Sequence, residues 1–262
     1  MDISAIINEW GENREDYFQA MTPPIYQTSN FRYETVDAFR HAFQDEFEAY
    51  LHSRGKNPTV DILRKKLAAL EGAEDCLVFN SGIAAITAAV LAQVQSGDHI
   101  VCVDQPYSWV QKLLKETLPK FGVHTSFVDG RSIDSFERAI LPNTKLIYLE
   151  SPNTWDFALQ DLAAVAALAQ SENIVTICDN SYCTGLWQQP IALGIDLTVQ
   201  SATKYISGHS DTVAGVLCGS TAMIQRIFNS EYLTIGSGIQ PFNAWLLIRG
   251  LRTLPIRLER VA

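Results

Sequence analysis

Between about residue 60 and residue 200 the chain alternates between two periodicities. Cys76-Leu-Val-Phe79, His99-Ile-Val-Cys-Val103 and the segments 123–128, 145–149, 174–178 and 196–200 are short apolar runs of strand length. Helix-period segments lie between them over 60–70, 84–94, 108–118, 132–140 and 160–170. This order predicts right-handed crossovers and an α/β fold: a mostly parallel sheet with helices on both faces. Thr59 is expected to cap the first helix and Gly72 to stop it. The residues before it are rich in Tyr, Phe, Asn and Gln and show no comparable period. The chain is therefore expected to divide into an irregular N-terminal segment, 1–60, and one large domain, 61–262.

Ligands in open parallel sheets bind beyond the carboxyl ends of the strands, so the polar residues there carry the functional signal. Asn80-Ser81-Gly82-Ile83 opens a helix whose first N–H groups lack intrahelical partners, which suits a phosphate or serves simply as a cap. Tyr107 puts an aromatic ring after the 99–103 run, where packing alone could also explain it. Asp179 follows a run apolar enough for a central strand, and a carboxylate buried there needs a cation or hydrogen-bond donors, unless it is only a turn residue. In Ser201-Ala-Thr203-Lys204 a lysine follows two hydroxyls, and a lysine in such a cleft can attack a carbonyl. Amides and hydroxyls for a phosphate, an aromatic platform, a carboxylate for a ring nitrogen and an amine for an aldehyde match pyridoxal phosphate role by role.

Composition narrows the field. Of 262 residues 47% are hydrophobic, enough for a large core, and 20 basic against 29 acidic residues give a net charge of −9, which opposes nucleic acid as a partner. Arg249, Arg252, Arg257 and Arg260 recur beside leucines and read as the solvated face of an amphipathic helix. The five cysteines form no C-x-x-C pair, and no apolar run approaches the roughly 18 residues of a membrane span. With no basic, apolar leader at the start, the expected location is the cytoplasm. The histidines show no metal-ligand spacing, so no metal is expected. Ser201-Ala-Thr-Lys204 also fits the S-x-x-K of penicillin-recognising serine enzymes, but the S-D-N and K-T-G elements that go with it are missing.

The run Ser201-Ala-Thr-Lys-Tyr-Ile-Ser-Gly-His-Ser-Asp211, with Gly215, resembles the cofactor-attachment signature of the Cys/Met-metabolism enzymes: cystathionine γ-synthase, cystathionine β- and γ-lyases, methionine γ-lyase and the homoserine sulfhydrylases. Pro23-Pro-Ile-Tyr-Gln-Thr28, Ser53-Arg54-Gly-Lys-Asn57-Pro-Thr59 and Pro241-Phe-Asn-Ala-Trp245 are similar to further family segments. Gly194-Ile-Asp196 and Glu150-Ser-Pro152 look most like the bacterial cystathionine β-lyase branch. The resemblance implies the large domain of a fold-type-I pyridoxal-phosphate enzyme. It implies that Lys204 forms an aldimine with the cofactor and moves the Cα proton, that Asp179 pairs with the pyridine nitrogen, and that Tyr107 stacks on the ring. Phosphate would be held by the Ser81-Gly82-Ile83 turn and the hydroxyls of Ser201 and Thr203. Arg54 would clamp the phosphate of a neighbouring subunit, making the protein a homodimer or homotetramer.

Three departures from the family pattern qualify these expectations. His52 stands where many members have a tyrosine; it can still donate to phosphate, and Tyr50 lies two positions off register. Asn153 is the candidate for the position that helps hold a substrate carboxylate. The sequence ends at Arg260-Val-Ala262, on the helix that in relatives leads into a smaller C-terminal domain, so a chain without that domain and its carboxylate-binding arginine is expected. The function implied is carbon–sulfur lysis of cystathionine or a related sulfur amino acid by β-elimination. The alternatives are γ-elimination or γ-replacement, and a non-catalytic remnant that binds the cofactor alone.

Overall fold

The computed structural model describes residues 2–261. Its centre is a seven-stranded sheet: β1 (Asp75–Phe79), β2 (His99–Val103), β3 (His124–Val128), β4 (Thr144–Glu150), β5 (Val175–Asp179), β6 (Leu197–Gln200) and β7 (Gly215–Gly219), in the order β1-β7-β6-β5-β4-β2-β3. Strands β2 to β6 pair in parallel, and β7 runs antiparallel to both β1 and β6. The carboxyl ends of β1 and β6 therefore meet the start of β7, with Phe79 opposite Gly215 and Gln200 opposite Val216. Every strand expected from the sequence is present within a residue or so. Strand β7 was not among them, because it has only three residues between two glycines and no crossover helix leads into it.

Two apolar layers cover the sheet. One face packs Ala85, Ala89, Val110, Leu114, Val165 and Ala169 from helices against Ile100, Leu146 and Ile177. The other packs Leu63, Leu67 and Leu247 against Val78 and Val216. The helix Pro58–Glu71 begins at a proline whose missing N–H costs nothing there and ends at Gly72 in the left-handed region, φ 68°. Its cap is Asn57, whose carboxamide oxygen accepts from Thr59 N at 3.0 Å; the expected cap, Thr59, lies inside the helix. The Thr59 hydroxyl instead donates to Pro24 O at 2.9 Å and accepts from Tyr26 N at 3.0 Å, pinning the N-terminal segment. That segment is fastened a second time where the fully buried Lys66 meets Glu12 at 3.0 Å.

The segment expected as one helix over 108–118 is a composite. An α-helical turn, Ser108–Lys112, widens into a π-turn over Leu113–Thr117 and tightens over Leu118–Phe121, where Pro119 removes a donor and Gly122 reverses the chain. The arginine-rich tail is likewise two helices, Pro241–Leu251 and Leu254–Val261. Arg249 and Arg260 are exposed, as expected. Arg252 and Arg257 are not on a solvated face: Arg252 donates to Met21 O at 2.9 Å, and Arg257 to Tyr205 O at 2.5 Å and Gly250 O at 2.8 Å. Among the described residues the cysteines are all free, no helix is long and apolar enough to cross a membrane, and no cluster of metal-ligating side chains is found.

Candidate active site

The sheet's carboxyl edge brings the predicted residues of the large domain onto one side of the molecule. Ser81 caps the helix Gly82–Leu91 by accepting from Ala84 N at 3.3 Å, and the amides of Gly82 and Ile83 at its first turn are without intrahelical partners. A Cβ on Gly82 would stand 3.1 Å from Ser201 Cβ, and one on Gly215 would stand 2.1 Å from Ser81 O. Gly215 therefore admits no Cβ, and at Gly82 one would fit only if Ser201 gave way by a few tenths of an ångström. The cap turn and the β6 exit are thereby held as two sides of one cradle.

Asp179 ends β5 and is 8% exposed. Its Oδ1 accepts from Ser181 N at 2.9 Å and from Ser181 Oγ at 2.6 Å. Ser181 Oγ in turn accepts from Ser201 N at 2.7 Å, so one hydroxyl joins the carboxylate of β5 to the exit of β6. Burial, and then the neighbouring Glu150 charge, push the Asp179 carboxyl from its ordinary 3.8 to about 7, against the lowering by Ser181. No cation pairs with it among the described residues. Lys204 lies four residues beyond β6 on a tight turn, with its amide on Ser201 O at 3.1 Å, and its side chain is exposed.

Glu150, which ends β4 opposite Asp179, was not singled out in the sequence. One of its oxygens accepts from Tyr107 N at 2.8 Å and the other from Thr154 N at 2.6 Å, while burial raises its pKa. It thus ties together the two loops at the rim of the site. Tyr107, 39% exposed, presents its ring from the first of these loops. Asn153 is held by the backbone around it. It is 4% exposed, its Nδ2 donates to Asp104 O and Gln105 O at 3.3 Å each, and its Oδ1 accepts from Trp155 N at 3.0 Å. That carboxamide braces the turn before Tyr107, and it can donate to a substrate carboxylate only by exchanging one of those two bonds.

The remaining residues differ in how free they are. The Thr203 hydroxyl donates to Ala214 O at 3.2 Å and accepts from Ala214 N at 3.0 Å, so it can reach a phosphate only by exchanging that bond. His52 Nδ1 accepts from Arg54 N at 2.9 Å, which places the ring proton on Nε2. Arg54 is exposed and forms no ion pair among the described residues. Tyr50 does not replace the family's tyrosine, because its hydroxyl is committed to Asp61 at 2.9 Å.

These residues fit pyridoxal phosphate. A buried carboxylate without a counter-cation calls for a protonated ring nitrogen, and a cradle too narrow for a Cβ, lined by unpaired amides and the Ser201 hydroxyl, suits a phosphate. Fold and edge together define the large domain of a fold-type-I pyridoxal-phosphate enzyme. Residues 4–262 match the family model described as Cys/Met metabolism PLP-dependent enzyme, and the chain belongs to that family. It is 39% identical over 246 residues to an L-methionine gamma-lyase of Treponema denticola, covering 93% of this chain and 61% of that protein. It is 36% identical over 242 residues to a cystathionine gamma-lyase of Bacillus subtilis, covering 92% and 62%. The chain thus spans about three fifths of the length of these curated relatives.

Solved structures agree. A putative O-acetylhomoserine (thiol)-lyase of Campylobacter jejuni superposes with a TM-score of 0.92 at 28% identity, covering 98% of this chain and 71% of that one, and it carries a pyridoxyl-lysine monophosphate. MetB of Corynebacterium glutamicum superposes with a TM-score of 0.91 at 31% identity, covering 98% and 65%.

Proposed function

We propose that the chain is the cofactor-binding part of a carbon–sulfur lyase that releases a thiol from a sulfur-containing amino acid. The reading rests above all on the Asp179–Ser181–Ser201 stitch, which joins a cation-seeking carboxylate to an anion cradle beside a free lysine. When bound, pyridoxal phosphate supplies an aldehyde that engages an amine and a ring that draws electrons from the adjoining carbon. Lys204 Nζ would hold the aldehyde and would move the Cα proton of a bound amino acid. Asp179 would keep a proton on the ring nitrogen, and Tyr107 would pack against the ring. The amides of Gly82 and Ile83, capped by Ser81, orient the phosphate with the Ser201 hydroxyl, and Thr203 joins them if it releases Ala214. Arg54 and the Nε2–H of His52 complete the phosphate site of a neighbouring subunit in a homodimer or homotetramer.

In the net reaction water enters, and a thiol, ammonia and a 2-oxo acid leave. Cleavage at Cβ of cystathionine yields homocysteine and pyruvate; this is favoured by the β-lyase-like segments Gly194-Ile-Asp196 and Glu150-Ser-Pro152. Cleavage at Cγ of methionine yields methanethiol and 2-oxobutyrate; this is favoured by the names of the methionine and cystathionine gamma-lyases above. Product analysis with both substrates separates the two. Borohydride trapping of the chain loaded with pyridoxal phosphate, followed by peptide mapping, tests the site, and an adduct on any lysine but Lys204 overturns it. A normal adduct with no turnover of either amino acid leaves a cofactor-binding remnant.

A further inference from the structure

Glu71 has no part in the roles above. It is the last residue of the helix Pro58–Glu71, it is completely buried, and no cation pairs with it among the described residues. A carboxylate placed there without a counter-charge is expensive, so its hydrogen-bond partners decide whether it is tolerated. Two of them are carboxamides. Asn180 Nδ2 donates to its two oxygens at 3.1 and 3.3 Å, and Gln200 Nε2 donates to Oε1. Both are buried, at 0% and 2% exposure.

The two partners occupy telling positions. Asn180 directly follows Asp179, and Gln200 directly precedes Ser201. The network continues through Gln188, whose Nε2 donates to Asn180 Oδ1 at 3.0 Å and to Ser151 O at 2.8 Å, the residue after Glu150. A single carboxyl group on a helix end thus gathers the exits of β4, β5 and β6, the three strands that carry Glu150, Asp179 and the Lys204 loop. Apolar packing would stabilise those exits equally well, but it would not fix the direction in which each leaves the sheet.

We propose that Glu71 is a positioning residue: by accepting from Asn180 and Gln200 it sets the separation between Asp179 and the Ser201–Lys204 loop, the span that the cofactor's ring and phosphate must bridge. Its effect on cofactor affinity rests on the reading given under Proposed function; its effect on the strand exits does not.

The test compares the wild-type chain with Glu71→Met, which keeps the length of the side chain but removes both acceptor oxygens and leaves the two carboxamide donors unpaired. Hydrogen exchange without cofactor is expected to quicken by about tenfold at the amides of 180–184 and 201–204, while those of β2 and β3 keep their wild-type rates. Affinity for pyridoxal phosphate, read by the visible absorbance, is expected to fall by about tenfold in the same variant. Unchanged exchange in the two segments overturns the proposal, and so does a uniform rise over the whole sheet, which would mark Glu71 as a general stabiliser. If Glu71→Met does not fold, Gln200→Met is judged by the same criteria, with the rise confined to 201–204. A wild-type chain that takes up no pyridoxal phosphate sinks the cofactor reading, and the exchange result still decides on Glu71.

Discussion

Asp179 and Glu71 both carry carboxyls raised to about 7 by burial, from ordinary values of 3.8 and 4.5. A carboxyl whose folded pKa lies above its unfolded value binds its proton more tightly in the fold. Its contribution is therefore most favourable at low pH and is lost as pH rises from about 4 to about 7. Relative to Asp179→Asn, the cofactor-free wild type is expected to lose stability across that window, as denaturant midpoints at several pH values would show. The same substitution is expected to weaken pyridoxal-phosphate binding by at least about tenfold, the loss of one charge-assisted hydrogen bond, measured by absorbance titration. The sequence marks Asp179, Lys204 and Tyr107 as candidates because the first directly follows an apolar run and the other two lie four residues past theirs. Ser181, Glu150 and Glu71 are not so marked, because their roles lie in partners brought together across the sheet. Ser181 meets Ser201 from 20 residues away and Glu71 meets Asn180 from 109, distances over which no local pattern carries a signal. The partners of Asn153, the carbonyls of Asp104 and Gln105, are distant in the same way.

At the scale of elements, one close approach shapes the cradle and one cap fixes the helix that ends at Glu71, and each can be tested alone. Gly215→Ala would drive a Cβ to 2.1 Å from Ser81 O and 2.9 Å from Gly82 Cα, both backbone atoms. The expected cost is at least about 1–3 kcal/mol, with a matching loss of cofactor affinity, read by urea unfolding and by titration. Asn57→Ala removes the cap of the helix Pro58–Glu71 and a donor to Tyr26 O at 2.8 Å. About 2 kcal/mol of stability is expected to go with it, seen as a lower denaturant midpoint at constant slope. Most of these elements could be read in advance because strands buried on both faces are near-continuous apolar runs and helices keep their period. Reading failed where chemistry interrupts the pattern: at the π-turn of Leu113–Thr117, at the break between Leu251 and Leu254, and at β7, which is too short to register. The cap shifted from Thr59 to Asn57 because Pro58 takes the first helical position, which needs no N–H.

For the whole molecule, the testable claim is that one site draws on two chains. If Arg54 serves the neighbouring subunit, Arg54→Ala and Lys204→Ala chains each fail alone, the first for weak phosphate capture and the second for want of an amine. Refolded together, they form hybrids in which the Arg54→Ala chain keeps Lys204 and receives a clamp from its companion. Borohydride adducts on the Arg54→Ala chain are expected to appear in the mixture at low cofactor concentration and not in that variant alone. Equal labelling in both samples would place Arg54 outside the phosphate site.

The reversed strand β7 adds a constraint in time. Among the described residues β7 is the one strand that pairs with β1 and separates it from β6, while the other edge of β1 meets only the single bridge of Phe79 to Gly238, which comes later still in the chain. A nascent chain leaving the ribosome thus exposes the apolar strand Cys76–Phe79 long before its sole sheet neighbour has been translated. The first strand made is among the last to be secured, and synthesis halted short of Gly215 would leave an open edge ready to pair with another polypeptide.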